Sequence, residues 1–180
     1  DASSLFFDNP AVESFETFGD NMETCLTSSS SNMDYYVGNL LGSRSASAYY
    51  EQFYRVISRC NIILDNYETG RETENGQQLL GACYALRGLA YYQLLRMYCE
   101  PAGATANQLG VPVVTGFDME VKPNRSSYEE TFKQAESDFK AAMGKKIKDD
   151  VYMFTPEVVK GLLARLYFWT GHFTEAKQYA

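Results

Sequence analysis

Residues 79–98 read LLGACYALRGLAYYQLLRMY, with no proline and only two glycines. Within them Leu79, Cys83, Leu86, Ala90, Leu94 and Met97 recur at steps of three and four. That spacing lays one continuous apolar stripe along a helix. Tyr84, Tyr91, Tyr92 and Tyr98 widen the stripe beyond what one neighbour could cover. A helix apolar over so much of its circumference is expected to be a core helix packed on several sides.

The flanking segments are patterned to pack against it. The stripe Tyr50, Phe53, Ile57, Cys60 or Asn61, Leu64 and Tyr67 predicts a helix over residues 50–67. Asn61 is a polar residue on that apolar face, expected to be a core amide with backbone or neighbouring-helix partners. Residues 70–76 read as a polar turn, and Cys99-Glu100-Pro101 as the end of the central helix. Between residues 101 and 124 prolines and glycines break any helical period. Val111-Pro112-Val113-Val114 is a short extended piece there, which its proline would keep out of a central strand.

Ser126 with Glu129, or Ser127 with Glu130, offers a capping box. The helix it opens carries Tyr128, Phe132, Ala135, Phe139 and Ala142, with Gly144 as its stop. Thr155-Pro156 starts another, whose core face is expected to hold Val159, Leu162, Leu163, Leu166 and Trp169. Gly171 closes it, and Phe173 begins a further helix. Leu163, Ala164, Tyr167, Gly171, Phe173 and Ala176 match the tetratricopeptide pattern, in which small residues let two antiparallel helices approach closely. With Glu157 as the first position, a repeat of about 34 residues would run past Ala180, so the chain is expected to be a piece of a longer one.

Residues 1–47 are less regular. Asp8-Asn9-Pro10 reads as a helix start, and Glu13, Glu16, Asp20 and Glu23 as a solvated acidic face. From Cys25 to Ser47 the chain is rich in Ser, Asn and Gly around Tyr35-Tyr36-Val37. A loop of that length in a compact domain is usually functional or disordered.

Net charge is -7. With no Lys/Arg stripe, this argues against nucleic acid, because phosphate binding needs clustered positive charge. The basic run Lys145-Lys146-Ile147-Lys148 is followed at once by Asp149-Asp150 and reads as a solvated loop or helix end. Cys25, Cys60, Cys83 and Cys99 form no CxxC, and Cys60 and Cys83 fall on apolar stripes as small buried hydrophobes; a disulfide stays open. No apolar run is long enough to span a membrane, and no signal peptide opens the chain, which is therefore cytoplasmic or lacks a removed leader.

Several segments, taken in order, resemble the SusD/RagB family of outer-membrane nutrient-binding lipoproteins of the Bacteroidota. Residues 50–64, YEQFYRVISRCNIIL, resemble its first conserved helix, with Tyr50 where the family usually has Trp, and Tyr54 and Asn61 matching. Residues 85–96, ALRGLAYYQLLR, are similar to its second signature, and Leu109-Gly110-Val111-Pro112-Val113-Val114 to its "GvPlv" loop. Arg125-Ser126-Ser127 with the Tyr128 helix and Asp138 resembles the next block, and Leu163-Ala164-Arg165-Leu166-Tyr167 a later repeat helix.

The resemblance implies an all-α fold of antiparallel, tetratricopeptide-like helix pairs with long irregular loops. It implies one helical N-terminal portion of a larger protein over residues 1–180, with an irregular or helical leader and loop over 1–47 and the repeat region over 48–180. It further implies cell-surface capture of a nutrient, commonly an oligosaccharide, for delivery to a TonB-dependent outer-membrane transporter. The lipid anchor of such a protein lies outside this chain.

Residue chemistry favours binding over catalysis. The one histidine, His172, sits in a repeat turn and is expected to be exposed and inert. There is no HExxH, no GxSxG and no Gly-rich phosphate loop, and no cofactor or metal site is expected. Sugar rings pair apolar C–H faces with hydroxyl edges, so a sugar site needs flat aromatics beside amides and carboxylates. Tyr35, Tyr36, Asn39 and Tyr49 are the candidate ligand-binding residues on that ground; the other reading has these rings covering the core or a domain junction. Two further functions stay open: a helical-repeat scaffold binding a peptide in its groove, and a piece of a helical enzyme whose active site lies beyond residue 180.

Overall fold

The computed structural model describes residues 46–103, 107–118, 120–145, 147 and 154–180. The chain divides into two compact units, Asp1–Gln52 and Phe53–Ala180. Five helices cross the described residues: α1 (Ala46–Asn66), α2 (Glu74–Tyr98), α3 (Tyr128–Met143), α4 (Pro156–Trp169) and α5 (Phe173–Tyr179). Among the described residues there is no strand, only an isolated bridge between Leu109 and Ser127. The fold is all-α, as the periodicity predicts.

α2 is the axis of the second unit. At 25 residues it is about 37 Å long. The consecutive residues Arg87, Gly88, Leu89, Ala90, Tyr91 and Tyr92 are all buried. Six successive residues go more than once around a helix, so α2 is enclosed on every side there. α3 packs along it, α4 packs on α3 and touches α2, and α5 folds back on α4. On another side, Leu80 and Cys83 of α2 meet Cys60 and Leu64 of α1 in one buried cluster.

The helix ends obey local chemistry. Thr73 caps α2 by accepting from the Gly76 amide, which starts that helix five residues before the apolar stripe does. Residues 70–76 are therefore only half a turn; the rest is helix. Arg71 reaches back to the carbonyls of Leu64 and Tyr67, bonding acceptors that the end of α1 leaves open. Of the two possible capping boxes, Ser127 with Glu130 is the one that forms. Thr155 accepts from the Val158 amide with Pro156 in the first turn of α4. Gly171, at φ 82°, turns the chain between α4 and α5.

The extended piece around Val111–Val114 is held by side chains. Tyr54 of α1 donates to the Pro112 carbonyl at 2.6 Å. Tyr91 of α2 donates to the Val114 carbonyl at 2.9 Å and accepts from the Val114 amide at 2.8 Å, as a neighbouring strand would. Thr131 of α3 accepts from the Val111 amide, and Ser126 from the Val113 amide. Gly110 lies so close to the start of α3 that a Cβ would stand 2.2 Å from Thr131 Oγ1. Three helices are thus locked to one loop.

Three expectations need correction. Trp169, placed by spacing on the core face of α4, is 47% exposed, because it meets the Arg96 guanidinium at an open concavity and not a packed apolar face. Leu79 is likewise exposed at the edge of the α2 stripe. His172 is half-buried rather than exposed: it stacks on Phe132 at 4.6 Å with the rings nearly parallel, and its Nδ1 lies 2.9 Å from Thr170 Oγ1.

Candidate functional site

A buried polar node ties α1, α2 and α3 together. Asn61, fully buried, donates through Nδ2 to the carbonyls of Val114 (3.0 Å) and Gly116 (3.3 Å). Its Oδ1 accepts from Arg87 at 2.7 Å. Arg87 also makes a two-pronged pair with Asp138, at 2.9 and 2.6 Å. The core-amide expectation for Asn61 is met. Burial pushes the Asp138 carboxyl up, and the Arg87 guanidinium opposes that shift. The bonds of this node run from helix to helix and from helix to loop, so it serves to hold the helices in place.

α4 carries a second constellation. Tyr167 donates to Glu136, which also accepts from Lys140 at 2.8 Å. Burial and the bond to Glu136 push the Tyr167 hydroxyl up to about 12. Tyr128 is pushed up to about 12 by burial. Both tyrosines therefore stay protonated and neutral near neutrality.

A concave surface with ligand-like dimensions lies between α2, α4 and α5. It is a cavity of about 610 Å³ lined by Tyr92, Arg96, Phe168, Trp169, Phe173 and Ala176, among others. The Arg96 guanidinium lies over both the Tyr92 ring (5.7 Å) and the Trp169 ring (5.1 Å). Phe168 and Phe173 meet edge to face at 5.6 Å and are each more than 60% exposed. Arg165 and Lys177 complete a cationic rim. Such a surface can take the apolar face of a sugar ring, an aromatic or an aliphatic side chain, with hydroxyls or carboxylates at its rim. Spacing missed this surface by assigning Trp169 to the core; the available signal was Phe168 beside Trp169, with Phe173 just past the turn, more apolar residues than one helix face can bury.

Of the candidate ligand residues, Tyr49 is half-buried in the opening turns of α1. Tyr35, Tyr36 and Asn39 lie outside the described residues, as do the helix start at residues 8–10 and the acidic face at residues 13–23. Among the described residues no cluster of three or more His, Cys, Asp or Glu could hold a metal ion. Among them, too, no helix is long and apolar enough to cross a membrane.

The fold and these pinned helices define a class. The SusD-like family described as "Starch-binding associating with outer membrane" matches residues 9–168, and the chain belongs to it. None of the curated proteins compared matches it.

Solved structures agree. A putative sugar binding protein from Bacteroides vulgatus ATCC 8482 is 26% identical, with a TM-score of 0.73 over 85% of this chain and 36% of its own. A SusD-like carbohydrate binding protein from the same organism is 26% identical, with a TM-score of 0.64 over 72% of this chain and 29% of its own. A laminarin binding SusD-like protein, 22% identical, shares the fold at a TM-score of 0.74 over 96% of this chain and 38% of its own. The chain therefore spans about a third of the length of these structures.

Proposed function

We propose that this chain is the helical portion of a surface receptor that captures an oligosaccharide. The receptor passes it, unaltered, to a TonB-dependent transporter in the outer membrane. The observation that carries this reading is the match of residues 9–168 to a family described as starch-binding and associating with the outer membrane. The geometry is consistent with it: ionisable groups at the core are consumed by structural pairs, as Arg87 is by Asp138, and the helices are cross-tied into a rigid platform. A rigid platform lowers the entropy lost when a ligand is held. In this reading Tyr35, Tyr36, Asn39 and Tyr49 contribute rings and an amide to the sugar, residues 48–180 form the supporting repeat region, and the receptor does no bond chemistry.

The test is calorimetric titration of the complete gene product with a panel of α- and β-linked glucans and other oligosaccharides. Saturable heat with at least one glycan, recovered intact, is the expected result. No heat with any glycan, or cleavage of the ligand, overturns the reading.

A second reading is favoured by the cavity rimmed by Phe168, Trp169 and Phe173, an exposed apolar surface of the kind that docks another polypeptide. Trp169→Ala separates the two: loss of a protein partner with glycan affinity unchanged supports docking there.

A further inference from the structure

Three cations stand around the aromatic cavity: Arg96 of α2, Arg165 of α4 and Lys177 of α5. Among the described residues its wall includes no Asp or Glu, in a chain with 23 acidic and 16 basic residues. A wall of one sign, and of the rarer sign, runs against that composition. Arg165 and Lys177 are exposed, and among the described residues neither is paired with a carboxylate. Arg96 is held at the wall by the rings of Tyr92 and Trp169, over which its guanidinium lies. Like charges set around one concavity repel one another, a cost that an anion placed among them removes. A guanidinium, moreover, meets a carboxylate through two parallel bonds. The rest of the wall is aromatic. Phe168 and Phe173, each more than 60% exposed, and Trp169, at 47%, leave much of their ring surface open. The apolar C–H face of a sugar packs on such rings while its polar substituents reach the rim. A concavity of about 610 Å³ has the size of a small-ligand pocket. A docked polypeptide is met by a broader face, of about 800 Å² per partner.

We propose that this cavity binds an anionic oligosaccharide, a sugar chain bearing carboxylate or sulfate groups. Its sugar rings lie against Phe168, Trp169 and Phe173, and its charges sit among Arg96, Arg165 and Lys177. This rests on the reading of the protein as a glycan receptor and goes beyond it: it adds residues of α2, α4 and α5 to the sugar contacts and gives the ligand a charge. The net charge of -7 repels an anion from the chain as a whole, while the cations of the cavity attract it locally. That attraction fades within about 8–10 Å at physiological ionic strength, so added salt weakens it. An uncharged glucan gains the ring contacts and nothing from the cations. The cavity therefore selects by charge.

The test is calorimetric titration of the complete gene product with three probes of matched length: an oligogalacturonate, a sulfated galactan oligosaccharide and a neutral maltooligosaccharide. At least one anionic probe is expected to bind at about 50 mM salt and to lose about tenfold or more in affinity at about 500 mM. Arg165→Gln with Lys177→Gln should weaken that probe about tenfold or more and leave any neutral-glycan affinity unchanged. Both side chains are exposed, so the melting temperature should stay within a few degrees. Trp169→Ala should weaken the same probe. Anionic binding that ignores the double substitution overturns the assignment. So does loss of a protein partner in Trp169→Ala with anionic affinity intact, which would make the cavity a docking face. Silence from both anionic probes overturns it as well; heat from the neutral probe, or from another glycan, then leaves the receptor reading standing.

Discussion

Arg87 and Asp138 are 51 residues apart in sequence and joined inside the core by two hydrogen bonds of 2.6 and 2.9 Å. Their side chains are almost completely buried. Breaking such a pair leaves one charge stranded in a poor solvent, which costs more than the pair itself contributes. Asp138→Ala should lose about 3–5 kcal/mol of unfolding free energy by urea titration. Replacing both partners by apolar residues of similar volume should cost clearly less than the single change. Equal losses would mean that the charge is not stranded.

Tyr91 gives the loop its clearest handle, one hydroxyl bonded to both the amide and the carbonyl of Val114. Tyr91→Phe keeps the ring and removes both bonds. The expected cost is about 1–3 kcal/mol, with faster proteolytic cutting at residues 109–117. Unchanged cutting would show that Tyr54, Asn61 and Thr131 hold the segment without it.

Helix existence was readable from this chain because caps and stripes are local. Thr155-Pro156, Ser127 with Glu130, and the spacing through α2 each lie within a few residues, and all three are observed. What escaped was set by partners distant in sequence. Gly76 looked like part of a turn, yet it sits inside α2, where a Cβ would stand 2.1 Å from the Gly70 carbonyl oxygen. Asn61 stood out as a misfit, but nothing nearby named Arg87 as its partner or Arg87's bond to Asp138. Trp169 and His172 exchanged their expected places, since spacing gives a direction around a helix and not what a side chain meets there. The aromatic cavity was invisible for the same reason, being made by residues from α2, α4 and α5 together.

Acid should act through Glu130 and Glu136. Bonds from the Ser127 backbone and hydroxyl hold the Glu130 carboxyl below its usual 4.5. Burial would raise Glu136, but the bonds from Lys140 and Tyr167 bring it below 4.5. A depressed carboxyl binds its proton less readily folded than unfolded. Its stabilisation is therefore whole above the unfolded value and is lost as pH falls through the folded one. Melting temperature should drop between about pH 5 and pH 3, and less steeply in Glu130→Gln with Glu136→Gln. An identical slope in the variant would place the acid sensitivity elsewhere.

Tyr35→Ala with Tyr36→Ala tests the proposed sugar contacts. In the complete gene product the pair should weaken glycan affinity at least tenfold by calorimetry, consistent with two lost stacking surfaces of about 1 kcal/mol each. The melting temperature should stay within a few degrees. Unchanged affinity would remove these rings from the site.

The most direct measurement of the account is that calorimetric titration with oligosaccharides, followed by chromatography of the recovered ligand. Capture without chemistry predicts saturable binding of at least one glycan and its return at unchanged length. Shortened products, or silence across the whole panel, would contradict it.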